Sequence, residues 1–153
     1  MTHLKKGDSI PSFSVTDQNG NLVTEKDYVD KKLVIYFYPK DMTPGCTSQA
    51  CNIRDNYALL QQEGISILGV SADDVTRHQK FIDKYDLPFP LLADTELTMI
   101  KNFGIWGEKK FMGKVYDGIH RTTFLINESG KVHEIITKPK TKEHAEEILE
   151  LFK

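Results

Sequence analysis

The sequence predicts an α/β protein, a mixed central sheet flanked by helices with a small hairpin ahead of it, and three observations carry that reading. Leu33 to Tyr38 is continuously apolar and rich in β-branched and aromatic residues, as expected of a strand buried on both faces. Further apolar runs of strand length alternate with segments of helical periodicity. The chain then finishes in two strands and a helix, which adds antiparallel pairing to a β-α-β core.

The elements follow in order. Ser12 to Asp17 and Leu22 to Thr24 flank Gln18-Asn19-Gly20-Asn21, whose Asn-Gly step suits a hairpin turn. After the central strand, Cys46, Ala50, Ile53, Tyr57 and Leu60 recur at helical spacing, so one helix is expected until Gly64 stops it. Ile65 to Val70 reads as a second buried strand, and Val75 to Tyr85 as a second helix with Phe81, Ile82 and Tyr85 on its apolar side. Phe89 to Ala93 is a short strand behind Pro88, and Leu97 to Phe103 a weak helix. Ile105 to His120, rich in Gly and Lys, is expected to be a loop. Thr122 to Ile126 and Val132 to Ile136 are strands joined by Asn127-Glu128-Ser129-Gly130. Glu143 to Phe152 is the closing helix, with Thr141 as its N-cap. This order resembles the thioredoxin fold, that is, a thioredoxin-like fold with an added N-terminal β-hairpin. No repeat, low-complexity tract or linker interrupts it, so residues 1–153 are expected to form a single domain.

Composition excludes several classes of function. Twenty Lys and Arg against 22 Asp and Glu leave a net charge of −2, so no basic field draws the chain onto nucleic acid or anionic lipid. The longest apolar run, Leu33 to Tyr38, is far short of the ~20 residues of a spanning helix. The N-terminus has no apolar signal core, so a cytoplasmic protein without membrane partners is expected. The two cysteines, Cys46 and Cys51, share one short segment, which points to chemistry in a reducing compartment more than to a disulfide framework.

That segment runs from the end of the central strand into the first helix. Thr43 followed by Pro44 suits an N-cap and first helical position, since Thr can accept a backbone N–H and Pro has none to leave unpaired. Cys46 then falls in the first turn, where unpaired N–H groups and the helix dipole favour thiolate over thiol. Strand ends in open α/β sheets also leave a crevice for ligands. Position alone does not separate a nucleophile from a small buried hydrophobe. An ideal helix sets the Cα atoms of Cys46 and Cys51 roughly 8 to 9 Å apart, whereas a disulfide wants less than about 7 Å. The pair therefore bonds only if the helix start unwinds. Zinc is disfavoured, because His3, His78, His120, His133 and His144 supply no H-x₃₋₅-H pair.

On these residues the sequence resembles the peroxiredoxins, specifically the peroxiredoxin Q group, also called bacterioferritin comigratory proteins. Pro39, Thr43 and Cys46 match P-x-x-x-T-x-x-C, Cys51 completes C-x₄-C, and Arg121 lies in Gly118-Ile119-His120-Arg121-Thr122-Thr123. Gly69-Val70-Ser71, Leu87-Pro88-Phe89-Pro90 and Trp106-Gly107-Glu108-Lys109 extend the likeness from about Gly7 to Leu151. The resemblance implies a thiol peroxidase that reduces hydrogen peroxide and organic hydroperoxides, recharged by a dithiol such as thioredoxin, and often monomeric. It implies Cys46 as the attacking thiolate, Cys51 as the thiol that resolves its sulfenic acid, and Arg121 and Thr43 as groups that bind peroxide oxygens. Pro39 would shape and shield the pocket. No metal, flavin or haem is implied.

Other stretches carry weaker signals. Lys109-Lys110 and the cluster Lys138 to Lys142 fit an acidic partner or a solvated face, and Trp106, Phe111 and Met112 fit a pocket frame or ordinary packing. Two rivals to the peroxidase reading are a disulfide reductase, which wants C-x-x-C, and a non-enzymatic module with incidental thiols.

Overall fold

Alternate side chains of the central strand feed two separate cores. In a computed structural model of the chain, which describes residues 1–153, the elements run β1 (Ser14–Thr16), β2 (Leu22–Thr24), a 3₁₀ turn (Glu25–Tyr28), β3 (Lys32–Phe37), α1 (Pro44–Asp55), α2 (Tyr57–Gln62) and β4 (Ile65–Ser71). There follow α3 (Val75–Tyr85), β5 (Leu91–Ala93), α4 (Thr98–Asn102), β6 (Trp106–Phe111), β7 (Lys114–Ile119), β8 (Thr122–Ile126), β9 (Val132–Ile136) and α5 (His144–Leu151).

The five-stranded sheet has the order β5-β4-β3-β8-β9. β3 and β4 pair in parallel, as do β4 and β5, while β8 is antiparallel to both β3 and β9. Leu33, Ile35 and Phe37 point to the face covered by the N-terminal hairpin and α4, where they meet Phe13, Met99, Phe103 and Phe124. Val34, Tyr36 and Tyr38 point to the face covered by α1, α2, α3 and α5, where they meet Ala50, Ile53, Leu60, Phe81 and Ile148. Burial of each such large apolar side chain stabilises the fold by roughly 1.5–3 kcal/mol. The mixed sheet between helices is thus as the sequence predicts, with most helices gathered on one face.

Four local expectations are corrected. The first long helix breaks at Asn56, whose side-chain amide donates to Asn52 O at 2.8 Å and takes the acceptor that continued helix would give to its backbone N–H. The expected loop between Ile105 and His120 is a second hairpin, β6–β7, turning at Met112 and Gly113, whose φ values of 51° and 79° fit a two-residue primed turn. The strand expected from Phe89 begins only at Leu91. Thr141 does not cap α5; Glu143 is the capping residue, and it makes no side-chain cap bond. No helix is long and apolar enough to cross a membrane.

Candidate active site

Three chain segments converge at the C-terminal end of β3. The register of β3 with β8 sets Phe37 opposite Thr122, which leaves Arg121 just beyond the strand pair, beside the start of the β3–α1 loop. Tyr38 N–H donates to Val70 O of β4 at 3.1 Å, so the same end of the sheet is also tied to β4. Helix α1 opens there with Thr43 as N-cap and Pro44 in its first turn. Cys46 falls in that turn and is 1% exposed.

Arg121 is the group the fold brings to the sulfur. One guanidinium nitrogen donates to Cys46 Sγ at 3.1 Å, and the other donates to Gln49 Oε1 at 2.6 Å. Gln49 lies three residues after Cys46 on the same helical face, so the planar fork is held at two points at once. A Cβ on Gly45 would come within 3.3 Å of the guanidinium, which accounts for the smallest residue at that position. A charge-assisted donor aimed at sulfur, at the positive end of a helix, stabilises negative charge on that atom.

The other motif residues are placed less directly. Thr43 is the N-cap by backbone conformation, yet its hydroxyl accepts no amide and instead donates to Lys40 O at 2.9 Å, contrary to the expected cap bond. Its oxygen lone pairs remain free to accept. Pro39 is half-buried in the β3–α1 loop. Cys51 is partly exposed on the same unbroken helix as Cys46, and both thiols are free.

Five further residues lie around the site. Gln49 is fully buried, and its Nε2 has no partner. Tyr36 OH is likewise buried and unpartnered; burial, then the charges of Cys46 and Asp41, push its phenol well above the usual range. Gly69 makes room for that ring, since a Cβ there would meet Tyr36 Cζ at 2.9 Å. Lys109 turns inward from β6, donating from Nζ to Ile119 O at 2.9 Å. Burial and then the Arg121 charge hold its ammonium below the usual range. Its neighbours on the hairpin, Phe111 and Met112, are exposed, while Trp106 packs on the core. His144 is buried between Thr123 Oγ1 at 2.9 Å and Glu147 Oε1 at 3.0 Å. The sequence signal for Gln49 was its i+3 spacing from Cys46; Tyr36 reads as a buried strand residue, and Lys109 stood out only as part of a basic loop and of the family likeness, with nothing to point it toward Cys46.

On the other side of the loop lies a second polar cluster, Asp41, Asp73 and His78, whose ligand-type atoms lie within 4.8 Å of one another. It includes neither cysteine, and its atoms bond to one another and to Tyr38, Ser71, Arg77 and Leu92. The side chain of Asn52, next to Cys51, reaches from α1 to α5, accepting from Ala145 N–H at 2.7 Å and donating to Lys142 O at 3.0 Å. It supplies the cap that α5 lacks from its own residues.

Residues 6–135 match the AhpC/TSA family model. The chain is 45% identical to the peroxiredoxin Bcp of Escherichia coli K12 over 153 residues, which is 100% of this chain and 98% of that one. Among solved structures, a mutant of Xylella fastidiosa PrxQ superposes with a TM-score of 0.92 at 31% identity, covering 99% of this chain and 97% of that one. A Xanthomonas campestris bacterioferritin comigratory protein, described for its alkyl peroxide reduction activity, superposes with a TM-score of 0.87 at 32% identity, covering 99% of this chain and 98% of that one.

Proposed function

This chain belongs to the AhpC/TSA family and is a peroxiredoxin of the Bcp group, a thiol peroxidase, and from that premise we propose that Cys46 reduces hydrogen peroxide and organic hydroperoxides with Cys51 as its resolving partner. The observation that carries the reading is the 3.1 Å bond from Arg121 to a sulfur buried in the first turn of α1. The alkyl peroxide reduction of the Xanthomonas relative supports organic hydroperoxides as substrates.

The thiolate of Cys46 attacks the terminal peroxide oxygen in line, forming an S–O bond as the O–O bond breaks. The departing alkoxide takes up a proton and leaves as alcohol, or as water from hydrogen peroxide. Arg121 and the Thr43 hydroxyl are the groups suited to bind the two oxygens while charge builds on the leaving one. Pro39, without an N–H, shapes and shields the approach. The product is the Cys46 sulfenic acid, which Cys51 converts to an intramolecular disulfide with loss of water. Both cysteines lie on one helix, so that step unwinds the turn between them. A dithiol, with thioredoxin the reference candidate, then attacks the disulfide and returns two thiols. The working form in this reading is a single-domain cytoplasmic monomer that uses no bound cofactor.

One equivalent of peroxide is expected to remove two hydrogens from a peptide linking Cys46 and Cys51, as read by mass spectrometry. Cys46→Ser is expected to abolish peroxide consumption. Cys51→Ser should retain a single oxidation, trapped by a sulfenic-acid reagent. Peroxide consumption by Cys46→Ser, or a Cys51→Ser protein dead in that single turnover, would reverse the two assignments.

A further inference from the structure

The β3–α1 loop holds a non-glycine residue, Met42, in the left-handed region at φ 67°. Such a conformation costs of order 1 kcal/mol or more and persists only where surroundings impose it. The loop is short, and the groups that shape the site stand at its two ends, Pro39 on one side and Thr43 with Cys46 on the other.

The neighbouring Asp41 is 1% exposed although it is flanked by the exposed Lys40 and Met42. Tyr38 O–H donates to Asp41 Oδ1 at 2.6 Å, and His78 Nδ1 lies 2.6 Å from Asp41 Oδ2. His78 is fully buried on α3, and its Nε2 lies 2.9 Å from Leu92 O of β5. A carbonyl can only accept, so Nε2 donates, and the Nδ1–Oδ2 contact carries a second hydrogen. The Asp41 backbone N–H donates to Asp73 Oδ2 at 2.8 Å. Asp73 is itself fixed by Ser71 Oγ at 2.7 Å and by Arg77 Nε at 3.0 Å. The partners of Asp41 thus lie outside α1: Tyr38 follows directly on β3, Asp73 sits between β4 and α3 and is tied to both, and His78 is on α3 and tied to β5.

We propose that Asp41 and His78 are positioning residues for the peroxidase reaction: a buried brace that sets the β3–α1 loop, and so the placement of Pro39, Thr43 and the first turn of α1 against Arg121. Neither touches the sulfur. The proposal rests on Cys46 being the attacking group, and it gives the loop a fixed anchor to refold against after each opening of α1.

The test follows one thiol in a Cys51→Ser background, comparing the rate of Cys46 oxidation by hydrogen peroxide with its rate of alkylation by iodoacetamide. Alkylation reports the sulfur's access and nucleophilicity but needs no peroxide pocket. Asp41→Ala is expected to slow oxidation about 30-fold, within the ~10²-fold that a misplacement near 1 Å can produce, while alkylation changes less than about threefold. Asp41→Asn should rescue most of the oxidation rate, because its amide can donate to His78 Nδ1 while its oxygen still accepts from Tyr38. Should Asp41→Ala fail to fold, Tyr38→Phe removes one tie and keeps the ring, with an expected loss of about threefold in oxidation alone. Oxidation and alkylation falling together, or oxidation unchanged in folded Asp41→Ala or Tyr38→Phe, would overturn the brace. A Cys51→Ser parent that consumes no peroxide would instead overturn the assignment of Cys46.

Discussion

Two buried polar clusters flank the Pro39–Thr43 loop and keep opposite hydrogen-bond accounts. Around Asp41 and His78 the donors and acceptors are matched, by Tyr38, Asp73, Leu92 and, at one remove, Ser71 and Arg77. Around Cys46, Tyr36 OH and Gln49 Nε2 are buried with no partner, and the sulfur has the guanidinium alone. A saturated network holds one geometry, since any movement breaks bonds that water cannot replace. An unsaturated one leaves polar capacity beside a reactive atom, where a small polar substrate or an oxidised sulfur can use it. The difference teaches which side of the loop is built to stay still.

Breaking the comparison at the reactive side has the largest expected effect. Arg121→Met keeps much of the stem and removes every donor, and should slow the first oxidation of Cys46 by roughly 10²–10³-fold in stopped-flow measurements, with little change in the melting temperature. Gln49→Leu frees the fork from its second anchor and removes an unpaired amide at once. A loss of about tenfold in that rate without loss of stability is expected. A melting temperature that fell with the rate would show Gln49 to be structural instead.

Titration sharpens the contrast further. Burial, opposed by Glu147 and aided by the Arg121 charge, holds the His144 imidazole below the ordinary histidine value of about 6.5. On acidification the unfolded chain therefore takes up this proton before the folded one does. His144 adds stability that is complete above the unfolded value and drains away as pH falls through the lower folded one, so wild-type stability should weaken from about pH 6.5 downward. His144→Gln is expected to show a flatter acid limb in thermal melts. The smallest effect is Tyr36→Phe. Deleting a buried hydroxyl without a partner should stabilise the reduced protein by about 1 kcal/mol, or roughly 2–4 °C in melting temperature.

How much of this was legible in the letters depended on range. The two-sided burial of β3 and the placement of Cys46 behind Thr43-Pro44 are local patterns, and the structure follows them. The break at Asn56 is local too, but the helical spacing of Tyr57 and Leu60 masked it. The β6–β7 hairpin escaped notice because most of its residues are exposed, which erases the alternation that marks a strand. Met112 occupies a turn position where Asn or Gly would have been a signal. Arg121 reaches Cys46 only through the pairing of β3 with β8, a contact that no periodicity reports; the family resemblance singled it out. The Asp41–His78 brace draws on residues on or beside β3, β4, α3 and β5, and was invisible for the same reason.

Asn52 gives the active-site helix a second audience. The residue beside Cys51 is also the lid on the first turn of α5, so under the proposed mechanism a turn that opened to join the two sulfurs would loosen the start of α5 in the same motion. Oxidation of one concealed atom would then be felt at the buried amide of Ala145, whose exchange with solvent would follow each catalytic cycle.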